Sequence, residues 1–344
     1  MTAKVLVSGG SGFIAGHCIQ QLLDAGHQVR ATLRSLSQEA AVRAVLADAG
    51  VAAGGNLDFA AADLTSDAGW PEAVRGVDVV LHVASPVRPG QVDNEDDLIV
   101  PAREGALRVL RAARDAGVKR VVLTSAFHAV SWGHPHTDHV FTEDDWTVLD
   151  GPGTDAYGRS KTLSERAAWE FIEREGGALE LVTMLPVAVM GPVMGDSITG
   201  SNEIIQRMLA GGMPVLPNLS IPVVDVRDVA RAHLLAMTPP EAAGQRFLLS
   251  NGPAIPLAEI AATIRRQLGD AAAKVPTRRL PDLLFRLAAL VNPEFRGMAP
   301  ELGYVKQTSS AKARELLGWV PRDPHEAIVA AAESLVAKGL VGRG

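Results

Sequence analysis

Along the first half of this chain, short β-branched apolar runs alternate with longer segments whose apolar residues recur at helical spacing. That alternation restricts the available folds more than any single residue does. The runs lie at 5–7, 28–33, 57–60, 78–83, 120–124 and 179–184, and helical stretches lie between them at about 12–25, 37–49, 68–75, 97–116 and 156–175. The last two helices are rich in Ala, Arg and Glu, which are good helix formers. Each parallel strand pair needs a crossover to return the chain, and a helix is the usual one. The pattern therefore predicts an α/β architecture, a doubly wound parallel sheet covered on both faces.

After about residue 186 the alternation fails. Gly191-Pro-Val-Met-Gly195 and Gly211-Gly-Met-Pro214 come first, followed by a helix near 226–237, a strand near 245–250 and helices near 256–268, 280–291 and 324–338. A second, smaller lobe is expected here. No internal repeat, low-complexity tract or charged tail is found.

Composition narrows the class. With 344 residues, 47% hydrophobic and 21% charged, the chain can bury a core and is too apolar to be disordered. No run approaches ~18 consecutive apolar residues, so no membrane association is expected. The start, Met1-Thr-Ala-Lys-Val-Leu-Val7, lacks the basic and apolar regions of a secretory signal. A cytoplasmic location is expected, and the single cysteine, Cys18, agrees with a reducing compartment. Cys18 itself reads as a small buried apolar residue. A net charge of −6 with 4% aromatic residues offers no footprint for nucleic acid. The expected partner is a small molecule.

Directly after the first strand comes Ser8-Gly-Gly-Ser-Gly-Phe-Ile-Ala-Gly16. Gly9 permits a tight strand-to-helix turn, Gly12 lets backbone approach a pyrophosphate, and Ala15 allows close helix–sheet packing. The helix N-terminus would face phosphates with unsatisfied N–H groups. At the end of the second strand, a carboxylate would favour the free 2′-hydroxyl of NAD and an arginine the 2′-phosphate of NADP. Here the chain reads Arg30-Ala-Thr-Leu-Arg34-Ser35 and carries no carboxylate, so NADP is favoured. Asp63-Leu64, after the third strand, sits where a carboxylate could meet the adenine amine; a turn-forming aspartate is the alternative.

Tyr157-Gly-Arg-Ser-Lys161 opens a predicted helix, and a spacing of four places both side chains on one face. An ammonium near a phenol lowers a pKa that is otherwise about 10, as a proton donor to a carbonyl oxygen requires. Thr124-Ser125 closes the fifth strand and delivers hydroxyls to the carboxyl edge of the sheet, where ligands bind.

With these residues together, the sequence resembles the extended branch of the short-chain dehydrogenase/reductase superfamily, and within it the dihydroflavonol reductase-like carbonyl and aldehyde reductases. The resemblance rests on Gly9-Gly-Ser-Gly-Phe-Ile-Ala15, Val29-Arg-Ala-Thr-Leu-Arg34, His82-Val-Ala-Ser-Pro86, Pro101-Ala-Arg-Glu-Gly-Ala-Leu107, Val121-Val-Leu-Thr-Ser125, Tyr157-Gly-Arg-Ser-Lys-Thr-Leu-Ser-Glu165, Asp225-Val-Arg-Asp-Val-Ala-Arg-Ala-His233 and Leu317-Gly-Trp-Val-Pro321. These stretches span nearly the whole chain in the expected order.

The resemblance implies a Rossmann domain at 1–186 that binds NADP, with 215–250 returning to it, and a substrate-binding lobe from 187–214 and 251–344. It implies an oxidoreductase in which NADPH passes hydride to an aldehyde or ketone. Tyr157 would protonate the oxygen, Lys161 would hold the nicotinamide ribose and lower the tyrosine pKa, and Ser125 would polarise the carbonyl. Phe13 and Ile14 would contact the pyrophosphate beside Gly9 and Gly12, Arg34 the 2′-phosphate, and Asp63 with Leu64 the adenine. Val83, Ala84, Ser85 and Thr124 would line the cofactor cleft, with Pro186 and Val189 at the nicotinamide amide. A monomer or homodimer is expected, and no bound metal. In one place the chain departs from the family pattern: many relatives carry Thr-Ser-Ser after the fifth strand, whereas this chain reads Thr124-Ser125-Ala126-Phe127-His128. Either Ser125 or Thr124 could then assist. The alternatives for the whole chain are a sugar-nucleotide epimerase or dehydratase and a non-catalytic NADP-binding redox sensor.

Four further features read as structural. His134, His136, Asp138 and His139 form a polar loop, interrupted by Pro135, rather than a metal site. Thr142-Glu-Asp-Asp145 resembles a helix capping box. His82 ends an apolar strand as a packing residue, and Met184, Met190, Met194 and Met213 fall where they either line a pocket or fill core gaps.

Overall fold

Strands covered by helices on both faces are apolar throughout rather than alternating, and the runs read from the sequence have that character. In the computed structural model, which describes residues 2–86 and 94–342, they form β1 (Lys4–Val7), β2 (Gln28–Leu33), β3 (Leu57–Ala61), β4 (Val79–His82), β5 (Arg120–Thr124), a short β6 (Val140–Phe141) and β7 (Glu180–Pro186). Between them run α1 (Phe13–Asp24), α2 (Glu39–Asp48), α3 (Trp70–Val74), α4 (Asp96–Asp115) and α5 (Ala156–Glu175). The remaining strands are β8 (Ala188–Met190), β9 (Ser220–Ile221), β10 (Val223–Asp225), β11 (Arg246–Leu249), β12 (Ile255–Pro256) and β13 (Gln307–Thr308). The remaining helices are α6 (Asn202–Ala210), α7 (Val226–Leu235), α8 (Leu257–Leu268), α9 (Asp282–Val291), α10 (Pro293–Met298), α11 (Ala311–Leu317) and α12 (Pro324–Ala337).

The main sheet has seven parallel strands in the order β11-β7-β5-β4-β1-β2-β3. This is the doubly wound Rossmann arrangement. The chain winds outward from β1 to β3, returns to β4 beside β1 with Val5 opposite Val79 and Val7 opposite Leu81, and then winds the other way. Strand order reverses between β1 and β4, so the crevice for a ligand lies at their carboxyl ends.

Successive side chains feed opposite faces of the sheet. Val5, Val7 and Leu81 join Ile19 and Leu22 of α1 and Val229 of α7 in one core, while Leu6, Val80 and Val121 join Val109 of α4 and Phe171 of α5 in another. A third cluster is built mainly from α6, α8 and α12, with Met190 and Val223 from the β8–β10 pair. Met184 and Met190 are fully buried and Met194 and Met213 pack on these cores, as gap-fillers do.

In one segment the sequence expectation fails. Thr142 and Asp145 do form capping contacts, with Asp145 Oδ2 accepting the Thr142 N–H at 2.8 Å, yet no helix follows. The Thr147 N–H donates to the Ala129 carbonyl at 3.0 Å, and its hydroxyl donates to the His128 carbonyl at 2.7 Å. These tertiary bonds take the groups that a helix would have used.

Candidate active site

The glycine turn is tied to both neighbours of β1. Gly9 has φ +70°, and a Cβ there would stand 2.9 Å from the Ala84 Cβ at the end of β4. Only glycine permits this approach. The Gly9 N–H donates to Thr32 Oγ1 at 3.0 Å and the Gly10 N–H to the Thr32 carbonyl at 2.8 Å, which fixes the turn against β2. Helix α1 then starts at Phe13 with Gly12 as its N-cap and no side-chain cap, so Phe13 and Ile14 present first-turn N–H groups that a ligand can satisfy.

Arg34 follows β2 and is exposed. Asp63, after β3, accepts from both the N–H and the hydroxyl of Thr65 at 2.8 Å, and these bonds, with the charges of Arg34 and Arg108, hold its carboxyl below the ordinary range. It is a turn former that also sits within the field of Arg34. At the end of β4, Val83, Ala84 and Ser85 are half-buried. His82 Nδ1 lies 2.8 Å from Ser8 Oγ, which accepts the Ala84 N–H at 3.0 Å. Burial, with the Lys161 ammonium adding to it, brings His82 down to about 3, so it stays neutral as a packing residue.

Helix α5 begins with Asp155, whose Oδ1 accepts the Gly158 N–H at 2.7 Å. This cap places Tyr157 and Lys161 one turn apart on one face. Lys161 Nζ is 5.8 Å from the Tyr157 ring centroid and donates to Ser85 Oγ at 3.2 Å, which carries it to the crevice between β1 and β4. Burial brings Lys161 down to about 8, opposed by the Glu165 carboxylate. Tyr157 differs from the sequence expectation of an acidified phenol. Desolvation, then the Asp155 charge, pushes it up to about 12. At this separation the ammonium does not outweigh burial, so the free protein keeps the phenol protonated.

The hydroxyls at the end of β5 both have partners. Thr124 Oγ1 lies 2.7 Å from His233 Nε2, and Ser125 Oγ donates to Glu165 Oε2 at 2.6 Å. Pro186 closes β7 and is buried, and Val189 lies in β8. A small cavity of about 20 Å³ brings together Leu64, Ser85, Thr124, Ser125, Lys161 and Glu165.

Sequence reasoning missed Glu165 and Arg246. Glu165 is 1% exposed, accepts from Ser125 and from Thr183 Oγ1 at 2.8 Å, and pairs with Arg246 Nε at 2.8 Å. The Arg246 guanidinium stacks 3.6 Å from the Trp146 ring centroid. The histidine loop has its own partners: His134 reaches the Trp146 carbonyl at 3.0 Å, His136 the Pro300 carbonyl at 2.6 Å, and His139 the Asp145 carboxylate at 3.0 Å.

The NAD dependent epimerase/dehydratase family model matches residues 5–249. Tetraketide alpha-pyrone reductase 2 of Arabidopsis thaliana is 36% identical over 249 residues, which cover 71% of this chain and 76% of that protein. Ketoreductase azaE of Aspergillus niger is 32% identical over 358 residues, with 98% of each chain covered. Among solved structures, Gre2 of Candida albicans in complex with NADPH is similar with a TM-score of 0.79 at 27% identity, covering 97% of this chain and 99% of that one.

Proposed function

The chain belongs to the NAD dependent epimerase/dehydratase family, and from that premise we propose that it is an NADPH-dependent reductase of aldehydes or ketones. The observation that carries this reading is the Tyr157–Lys161 pair, one turn apart on α5 and tethered through Ser85 to the glycine crevice. Reductase names among the relatives and an NADPH-bound structural neighbour support it. The residues fit the dinucleotide: Gly9 leaves a cradle that a Cβ would fill, the N-terminus of α1 lacks a side-chain cap, and Arg34 follows β2 with no carboxylate in that strand or the turn after it. Phe13 and Ile14 would hold the pyrophosphate, Arg34 the 2′-phosphate, Asp63 and Leu64 the adenine, and Pro186 and Val189 the nicotinamide amide. Residues 1–186 and 215–250 form the cofactor side of the crevice, and 187–214 with 251–344 the substrate side.

When bound, NADPH supplies hydride to the carbonyl carbon. Tyr157, protonated because burial holds its proton, gives that proton to the carbonyl oxygen. The Lys161 ammonium stabilises the phenolate left behind and binds the nicotinamide ribose. Ser125, with its own proton on Glu165, meets the site as an acceptor that orients the Tyr157 hydroxyl or the product alcohol. Cofactor ratio sets the direction, so alcohol oxidation runs through the same groups.

Incubating the protein with NADPH and a panel of aromatic and aliphatic carbonyls, benzaldehyde, butanal and acetophenone among them, tests the reading. Loss of NADPH absorbance with at least one class is expected. Tight NADPH binding with no consumption across the panel would make the protein a sensor instead.

A further inference from the structure

A carbonyl oxygen taking on negative charge is stabilised by preorganised donors besides the group that protonates it. The hydroxyls at the end of β5 are committed elsewhere. His233 Nδ1 lies 2.8 Å from the Val229 carbonyl oxygen, which only accepts, so Nδ1 carries the ring proton. Burial brings His233 down to about 4, so Nε2 is unprotonated and accepts the Thr124 hydroxyl. Ser125 donates its single hydroxyl hydrogen to the Glu165 carboxylate, and Ala126 has none to offer.

The polar ring in contact with the phenol is that of His128. Its half-buried ring stands edge-on to Tyr157, with centroids 4.9 Å apart at 77°, and stacks on Trp132 at 3.7 Å and 19°. Among the described residues neither of its ring nitrogens has a hydrogen-bond partner, whereas its backbone is fixed: the His128 carbonyl accepts the Thr147 hydroxyl at 2.7 Å. A ring clamped between two aromatic neighbours with open nitrogens is a preorganised donor.

We propose that His128 is a catalytic residue whose neutral imidazole donates an N–H hydrogen bond to the substrate carbonyl oxygen, alongside the Tyr157 hydroxyl. The inference rests on the reductase reading above. The proton count closes without a further reactant: hydride from NADPH enters carbon, the Tyr157 proton enters oxygen, and the His128 proton stays on its ring throughout. Burial, then the Lys306 and Lys161 ammonium groups, brings His128 down to about 3, so near neutral pH it is an uncharged imidazole with one N–H to donate and does not act as an acid. The other groups do not compete: His82 is engaged with Ser8, Asp155 caps the helix, and Glu165 is held by Arg246 and Ser125.

The test compares His128→Phe, which keeps a flat ring between Trp132 and Tyr157, with His128→Asn, which restores an N–H. Both are assayed with NADPH and the panel carbonyl that the wild-type protein turns over fastest. Cofactor affinity and melting temperature are followed in parallel. The expected result is a loss of kcat of about 100-fold in H128F, the scale for one oxyanion donor, with NADPH affinity and melting temperature unchanged and kcat partly recovered in H128N. Turnover of H128F within threefold of wild type would overturn the proposal, and so would H128N being no faster than H128F. A wild-type protein inert across the whole panel would sink the reductase reading and this inference with it, a failure recognisable because it needs no variant.

Discussion

Tyr157 keeps its proton in the free protein because apolar surroundings raise the phenol to about 12, while Lys161 falls to about 8 for the same reason. Burial penalises the charged form of each. The spacing of four between them was readable in the sequence, and so was the glycine turn, because both are local. The commitments of Thr124 to His233 and of Ser125 to Glu165 were not readable, since each partner lies far along the chain. Arg34 lies between these cases: the sequence places it after β2, and the structure leaves it exposed with Asp63 in its field. A charged hydrogen bond is worth roughly 1.5–3 kcal/mol. Arg34→Ala is therefore expected to weaken NADPH binding by about 10- to 100-fold, measured by fluorescence titration, and to leave NADH binding nearly unchanged. Unaltered NADPH affinity would remove Arg34 from the 2′-phosphate.

Helix α5 carries Tyr157, Lys161 and Glu165 at successive fours, so one element sets the proposed proton donor, the cation and the carboxylate that steadies it. Nothing local in the sequence marks Glu165; its partner Arg246 comes from β11, 81 residues on. The resulting pair joins α5 to the edge strand of the sheet. Its effect on Lys161 has a definite sign. The carboxylate favours the ammonium and so raises a pKa that burial lowers. The proposed reduction needs the ammonium, present below that pKa and lost as pH rises through it. The histidines whose titration responds to Lys161, His82 and His128, are neutral near pH 7 and do not mask the effect. Glu165→Gln is expected to move the alkaline limb of the kcat–pH profile to lower pH. A limb that stays in place while activity merely falls would mean that Glu165 only packs.

Across the whole molecule, the strands of the central sheet were legible because parallel strands buried on both faces leave continuous apolar runs. The paired segments of two or three residues, β6 with β13, β8 with β10 and β9 with β12, are too short to stand out as runs of their own. Tertiary contact alone creates them. The third core cluster was legible in part: α8 and α12 fall at the helices expected near 256–268 and 324–338, whereas α6, which packs with them, was not read from the sequence. Lys161 reaches Ser85 just past β4, at the edge where strand order reverses, and Tyr157 stands one turn from it on α5. The rate of hydride transfer in a single turnover, with NADPH-loaded protein mixed rapidly with excess carbonyl, addresses proton delivery most directly. Tyr157→Phe should bind NADPH as tightly as the wild type and transfer hydride at least ~100-fold more slowly; equal rates in the two proteins would contradict the role assigned to the phenol.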